Sequence, residues 1–136
     1  HFGSAVSIDG DRVLIGAVGD ASLGRPLRNV AQTGQAHLFD LSGNLLHTFS
    51  PPNFNIHSDP AIWPAIDFGE SVVLAGDYVV ISDSTITDGR VYLYDATSAN
   101  LLHTFTDPTP TAPESSGFGN FIAVDGNEAV GLQLSE

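Results

Sequence analysis

Apolar and polar residues alternate with a period of two along most of the chain, in short runs rich in Val, Ile, Phe and Tyr. This alternation is typical of strands that bury one face, and Gly, Asp, Asn, Ser or Pro bounds each run. No stretch has the periodicity of a helix. The pattern predicts strands over residues 2–8, 13–17, 35–41 and 45–49, and again around Val72, Val80, Tyr92 and Leu102.

The same pattern returns along the chain. The stretch FGSAVSIDGDRVLIGA, which starts at Phe2, recurs without a gap as FGESVVLAGDYVVISD from Phe68, and in part as FGNFIAVDGNEAVGL from Phe118. The stretch GQAHLFDLSGNLLHTF from Gly34 recurs as GRVYLYDATSANLLHTF from Gly89, with one residue inserted at the turn. The chain therefore contains two complete units and the first half of a third.

Each unit is predicted to form four short antiparallel strands, and repetition of such units is the signature of propeller blades. A β-sandwich is less favoured, because it needs about seven strands of differing pattern. We therefore expect an all-β fold with about two and a half blades. The predicted division is blade 1 over 1–52, a connector over 53–67, blade 2 over 68–108, a connector over 109–117, and half of blade 3 over 118–136.

Several motifs carry a family resemblance. The Phe-Gly openings, the stretch IDGDRVLIGA and the strands AHLFD and VYLYD resemble the FG-GAP repeats of integrin-type β-propellers, in particular bacterial versions with short hairpins. The resemblance implies a β-propeller fold. It also implies a binding, adhesion or surface-display role at an extracellular or cell-surface location, with few enzymes among the relatives.

The calcium loop of that family is not matched here. Integrin-type members bind calcium through a DxDxDG loop, whereas the equivalent positions read Asp9-Gly10-Asp11-Arg12, Ala75-Gly76-Asp77-Tyr78 and Asp125-Gly126-Asn127-Glu128. Calcium takes six to eight oxygen ligands, and these turns are too short and too poor in carboxylates to supply them. We expect hairpin turns and no cofactor, with calcium binding as the less favoured alternative.

Composition narrows the range of partners. The 136 residues include sixteen Asp and Glu against four Arg and no Lys, for a formal charge of −12, which disfavours nucleic acid and anionic membranes as partners. No apolar run approaches the roughly 18 residues of a membrane span, so we expect no membrane insertion. The absence of Cys removes disulfides and thiolate chemistry. The start at His1, without Met or a signal sequence, is expected to be a boundary within a longer protein.

Residues of the types that commonly act in catalysis lie mainly at repeated positions. His47 and His103 are equivalent, and His37 matches Tyr92, so we expect these side chains to be structural. Asp40 and Asp95 are equivalent and are expected to accept backbone N–H bonds in turns. Nucleophile-elbow, HExxH and phosphate-loop motifs are absent from the sequence, so the chain is predicted not to be an enzyme.

Segments without a second copy are the better functional candidates. One is VGDASLGRPLRNVAQT between the second and third strands, which includes Asp20, and the other is PPNFNIHSDPAIWPAID between the first two units. Both follow an even-numbered strand, so they should leave the sheets on the same side, where loops commonly bind ligands. The predicted ligand-binding residues are Arg25, Arg28, Phe54, His57, Asp59 and Trp63, and the alternative is that Phe54 and Trp63 fill the space between blades.

These observations leave two leading hypotheses of function. The first is a non-catalytic extracellular module that binds a protein or glycan through the non-repeating loops. The second is a structural subunit of a surface assembly or filament, in which open blade edges associate and blades are completed between chains.

Overall fold

The computed structural model describes residues 1–19, 34–52, 67–84, 89–108, 118–119 and 121–123. These residues form strands and turns, with no helix among them. The four strands predicted for the first unit are each confirmed to within one residue at either end. The strands are β1 (Phe2–Asp9), β2 (Arg12–Ala17), β3 (Gln35–Asp40), β4 (Leu45–Phe49), β5 (Val72–Ala75), β6 (Tyr78–Asp83), β7 (Arg90–Asp95) and β8 (Leu101–Thr106).

The eight strands make two antiparallel sheets, each arranged in chain order. Sheet 1 is β1-β2-β3-β4 and sheet 2 is β5-β6-β7-β8, and neither closes into a barrel. This confirms the predicted all-β fold with propeller-like blades of four strands. Of the predicted half-blade over 118–136, only Phe118, Gly119 and residues 121–123 lie within the part of the chain that the structure describes.

Tight turns connect the strands in the way that the sequence predicts. Gly10 and Gly76, at equivalent positions in the first hairpin of each sheet, have φ of +59° and +55°, which is a conformation that glycine adopts readily. Asp40 Oδ1 accepts the amide hydrogens of Ser42 and Asn44, both at 2.9 Å. Asp95 Oδ1 likewise accepts those of Thr97 and Ser98, each at 2.8 Å. The prediction that the two aspartates are turn residues is therefore confirmed.

The two sheets pack face to face along a surface that we call the seam. Its apolar cluster combines side chains of sheet 1, which are Leu14, Ala36, Leu38 and Phe49, with side chains of sheet 2, which are Phe68, Val72, Leu74, Val79, Ile81, Tyr92, Tyr94 and Ala96. The rings of Phe49 and Tyr94 meet across the seam with centroids 4.8 Å apart. Burial of each large apolar side chain contributes about 1.5–3 kcal/mol, so the seam is the main source of stability for both sheets.

The Phe-Gly turn that precedes β5 lies directly against sheet 1. Gly69 has a φ of +92°, and a Cβ atom added there would lie 2.4 Å from the carbonyl oxygen of Gln35. A Cβ atom added at Gly16 on β2 would lie 2.0 Å from the carbonyl oxygen of Gly69. The next Phe-Gly turn also lies close to the backbone of the second unit, because a Cβ atom on Gly89 would lie 2.1 Å from the carbonyl oxygen of Phe118. Close backbone approach therefore explains these glycines.

Polar side chains on the first hairpin of sheet 1 also hold the seam together. Ser7 Oγ accepts the amide hydrogen of Leu74 at 2.9 Å, and Asp9 Oδ2 accepts that of Gly76. The Arg12 guanidinium donates to the carbonyl oxygen of Gly76. We call Ser7, Asp9 and Arg12 the clasp, because together they bind the backbone of β5 and of the turn that follows it.

A Gly69→Ala substitution should destabilise the fold severely. The new methyl group would combine backbone strain with a clash against Gln35, and we expect the free energy of unfolding to fall by about 3 kcal/mol or more in urea denaturation. Gly43→Ala is the matched control, because Gly43 has a φ of +88° but no described heavy atom within 4 Å of an added Cβ. It should cost only about 1–2 kcal/mol. Equal losses in the two variants would contradict close packing at Gly69.

Tyr94 carries the one buried polar side-chain atom that has no hydrogen-bond partner among the described residues. Burial raises the pKa of the Tyr94 hydroxyl. The equivalent residue of the first unit is Phe39, which has no hydroxyl. We expect Tyr94→Phe to raise the free energy of unfolding by about 1 kcal/mol. Tyr92→Phe should lower it by about 1 kcal/mol, since the Tyr92 hydroxyl hydrogen-bonds with Arg90. Destabilisation by Tyr94→Phe in the same urea titration would show that the hydroxyl is satisfied.

Candidate functional site

All six predicted ligand-binding residues, and Asp20, lie outside the described residues, which omit 20–33 and 53–66. The strand ends from which the two long segments leave are described. Ala17, at the end of β2, pairs with Gln35 at the start of β3. The Gln35 side-chain amide donates to Ser50 Oγ, just after β4, at 3.3 Å. Both segments therefore leave sheet 1 from the same end, which we call the loop end.

Sheet 2 places charged residues at its own loop end where sheet 1 has none. Asp67, Glu70, Asp83 and Arg90 stand at the positions that His1, Ser4, Ala17 and Gln35 occupy in the first unit. We call these four residues the charged group. They do not repeat, and the absence of an equivalent in the first unit is the sequence signal that could have identified them as candidates.

The charged group has a distinct electrostatic environment. Asp83 lies opposite Arg90 in the register of β6 and β7, and Ser84 donates a hydrogen bond to Glu70 Oε2. Burial raises the pKa of Asp67, and the nearby carboxylates of Glu70 and Asp83 raise it further. Three carboxylates and one guanidinium thus lie around one end of sheet 2, a setting suited to hydrogen-bonding or cationic groups of a ligand.

The opposite end of the sheets, where calcium loops occur in integrin-type repeats, is engaged in structural contacts. The Asp9 carboxylate accepts the amide hydrogen of Gly76, and the Asp11 carbonyl oxygen accepts that of Leu41 at 3.1 Å. In sheet 2 the Asp77 carbonyl oxygen accepts the amide hydrogen of Ala96 at 2.8 Å. No cluster of three or more metal-ligating side chains occurs in the described portion of the chain. The geometry supports the hairpin-turn interpretation for residues 9–12 and 75–78, and the third predicted turn, residues 125–128, lies outside the described residues.

Three histidines, His37, His47 and His103, make structural contacts. His47 Nε2 donates to the Thr97 carbonyl oxygen at 2.9 Å, which adds a polar contact between the sheets. The ring of His103 lies 4.7 Å from that of Phe105. His37 contacts Thr48 Oγ1 through Nδ1 at 3.1 Å, and partial burial lowers the pKa of its imidazole. These contacts agree with the structural role expected from the repeat.

Sheet 1 also presents an apolar face on the side away from the seam, which we call the outer face. By the alternation of side chains along paired strands, this face carries Phe2, Val6, Ile8, Val13, Ile15, His37 and Phe39. Phe2 is 64% exposed, Val6 56% and Ile8 66%. The rings of Phe2, His37 and Phe39 form a cluster with centroids 5.9 to 6.4 Å apart. This face was not predicted from the sequence.

Comparison with known proteins identifies one family match. The model of the FG-GAP repeat family matches residues 1–39, which confirms the resemblance over most of β1 to β3. No curated protein matches the chain. No helix in the described ranges is long and apolar enough to cross a membrane. The match to an FG-GAP repeat agrees with the two four-stranded, propeller-like sheets.

Calcium should leave the stability of the chain unchanged. A specific ion bound to the folded state raises stability by mass action, by about 2.7 kcal/mol at a hundredfold excess over its dissociation constant. We expect differential scanning calorimetry to give the same melting temperature in about 10 mM calcium as in EDTA. This calcium concentration exceeds the dissociation constants of extracellular calcium modules. Magnesium at the same concentration controls for ionic strength. A rise with calcium alone would contradict the hairpin-turn interpretation of Asp9 and Asp11.

Proposed function

We propose that this chain is part of a non-catalytic binding or adhesion module, located outside the cell or at its surface, that recognises a protein or glycan at the loop end. The observation that carries this proposal is geometric. Two sheets are joined by a well-packed seam, and both long non-repeating segments leave sheet 1 from one end. Loops on a rigid scaffold are the usual place for recognition.

The proposed contact residues come from both non-repeating segments. Within them, Arg25, Arg28, Phe54, His57, Asp59 and Trp63 combine aromatic surface with charge. Aromatic and Arg side chains are enriched where proteins recognise partners, and the charged group at the loop end of sheet 2 would add hydrogen-bonding capacity. The net charge of −12 favours a neutral or cationic ligand and disfavours nucleic acid.

The engagement of the candidate acids and bases supports a role without catalysis. Asp40 and Asp95 accept backbone amide hydrogens in turns. Hydrogen bonds from Asn44 hold the pKa of the Asp40 carboxyl below its usual value. Hydrogen bonds from the Ser98 and Thr97 amides lower the pKa of the Asp95 carboxyl in the same way. His47 donates to a backbone carbonyl across the seam. General acid–base catalysis needs a side chain free to exchange a proton with a substrate, and these side chains are committed to the scaffold.

The second candidate function is that of a structural subunit in a surface assembly. One observation favours it, namely the exposure of large apolar side chains on the outer face of sheet 1. Contiguous exposed apolar surface commonly marks an interface with another protein. In this case the sheets, and not the loops, would make the functional contacts.

Recognition at the loop end is tested with a variant that removes two of the proposed contact side chains. We expect Arg28→Ala/Trp63→Ala to lose at least about tenfold in affinity for ligands found with a printed array of glycans and peptides, since aromatic and Arg side chains dominate interfaces. The melting temperature should stay close to that of the unsubstituted chain.

The matched control changes the opposite end of the sheets. Ser42→Ala/Thr97→Ala alters two exposed turn residues and should leave binding to the array unchanged. If instead the loop-end variant binds as the unsubstituted chain does while both variants fold, recognition at the loop end is wrong. Equal loss in both variants would also contradict the proposal, because the effect would then not depend on the loop end.

A further inference from the structure

The first hairpin of sheet 1 contains an Asp-Gly dipeptide, Asp9-Gly10, whereas the equivalent hairpin of sheet 2 has Ala75-Gly76. An aspartate followed by glycine is prone to attack by the glycine amide nitrogen on the aspartate carboxyl group, because glycine has no Cβ atom to hinder the approach. Gly10 is also exposed, so water reaches the turn. The first hairpin therefore contains a reactive dipeptide that its counterpart lacks.

The reaction needs no reagent other than water. When the Gly10 nitrogen bonds to Cγ of Asp9, the hydroxyl of the protonated carboxyl group and the hydrogen of the amide leave together as water. The product is a five-membered succinimide ring. Water then opens the ring at either carbonyl carbon, which restores aspartate or gives isoaspartate, in which the main chain passes through Cγ. Isoaspartate has the same atoms as aspartate, so the net reaction is an isomerisation without oxidation or reduction.

The folded chain opposes ring closure at Asp9 in two ways. Asp9 pairs with Arg12 at the end of β1, and antiparallel pairing favours ψ of about +135°. Ring closure requires Cβ and the Gly10 nitrogen on the same side of the Cα–C bond, which is far from that extended conformation. The carboxylate is also bound elsewhere, because Oδ2 accepts the amide hydrogen of Gly76 across the seam. Both the strand pair and this contact must open before the ring forms.

The other members of the clasp strengthen the contact between Asp9 and Gly76. The Arg12 guanidinium donates to the carbonyl oxygen of Gly76, so both polar groups of that residue's backbone are bound by sheet 1. Ser7 Oγ accepts the amide hydrogen of Leu74 at 2.9 Å, two residues earlier. Release of the Asp9 carboxylate is therefore coupled to separation of the two sheets at the clasp.

Isoaspartate at position 9 would not fit the clasp. The main chain would gain one methylene group there, and the carboxylate would be attached directly to Cα, on a side chain shorter by the same group. The register of the pair with Arg12 would change, and the shortened carboxylate would no longer reach the amide of Gly76. Gly10 has a φ of +59° in a two-residue turn, which has no room for an additional main-chain atom. A seam that has opened and reacted would therefore not close again in its original form.

We propose that Asp9-Gly10 is a site of spontaneous isomerisation that the closed seam suppresses, so that opening of the seam at the clasp leads to a permanent covalent change. Water is the only co-reactant. The modification concerns the contact between the two sheets, and the proposal does not rest on ligand recognition at the loop end.

The reaction is measured by incubating the chain at neutral pH, in native buffer and in urea that unfolds it. Chromatography and electron-transfer fragmentation of proteolytic peptides then quantify isoaspartate. The sequence contains two further Asp-Gly dipeptides, Asp88-Gly89 and Asp125-Gly126, which serve as internal references, and all three should react at similar rates in urea. In native buffer Asp9-Gly10 should react at least about tenfold more slowly than in urea, because the reaction then depends on local opening.

A matched pair of variants tests control by the clasp. Ser7→Ala weakens the clasp without changing the reactive dipeptide. It should raise the native rate at Asp9-Gly10 about fivefold, which is the effect of one lost hydrogen bond on the population of the open seam, and leave the rate in urea unchanged. Ser42→Ala, in an exposed turn, should alter neither rate. Isomerised chains, once separated by chromatography, should show fast hydrogen exchange at the Gly76 amide, since that amide loses its acceptor.

Four results would overturn the proposal. The first is an equal rate at Asp9-Gly10 in native buffer and in urea, and the second is no reaction there in urea while the reference dipeptides react. The third is an unchanged native rate in Ser7→Ala although the Leu74 amide exchanges faster, because the clasp would then not control the reaction. The fourth is slow exchange at Gly76 in isomerised chains, because the clasp would then accept isoaspartate. None of these measurements involves the loop-end ligand, so the two proposals fail independently.

Discussion

The structure depends on the close backbone contact between the Phe-Gly turn of one unit and the sheet of the unit before it. The Gly69 turn lies against the backbone at Gly16 and Gln35, and a Cβ atom would fit on neither Gly69 nor Gly16. This contact fixes the position of β5 relative to sheet 1, and the seam can then bury its apolar residues. A four-stranded sheet has too little apolar surface to be stable by itself, so each unit obtains its stability from its neighbours.

The seam is polar at one end and apolar over the rest. The clasp binds the backbone amides and carbonyl of β5 and its turn, while Phe49 and Tyr94 pack farther out. Hydrogen bonds of this kind contribute about 1 kcal/mol each, less than burial of the large side chains, but they depend strictly on geometry. Apolar burial therefore supplies most of the stability, and the clasp determines which surfaces match.

Much of the fold was predictable because strand alternation and turn chemistry are local. The strand bounds, the Gly10 and Gly76 turns and the roles of Asp40 and Asp95 follow from residues close together in the sequence. The outer face was not predicted, because it depends on comparing burial between equivalent positions after the sheets have been assembled. The charged group was not predicted either, although its lack of an equivalent in the first unit is visible in the sequence. A residue such as Ile8 has the same sequence pattern whether a neighbouring sheet covers it or not. The loop-end residues remain a prediction from the sequence.

Contacts between rings across the seam provide the most direct test of this account, because they require the two sheets to pack face to face. Nuclear Overhauser effects should connect the ring protons of Phe49 and Tyr94, whose centroids lie 4.8 Å apart. They should also connect Gly69 with Gly16, since their backbones approach closely. Both sets of cross-peaks are expected in the unsubstituted chain. A spectrum that contains the cross-strand contacts within each sheet, but none between Phe49 and Tyr94 or between Gly16 and Gly69, would contradict it.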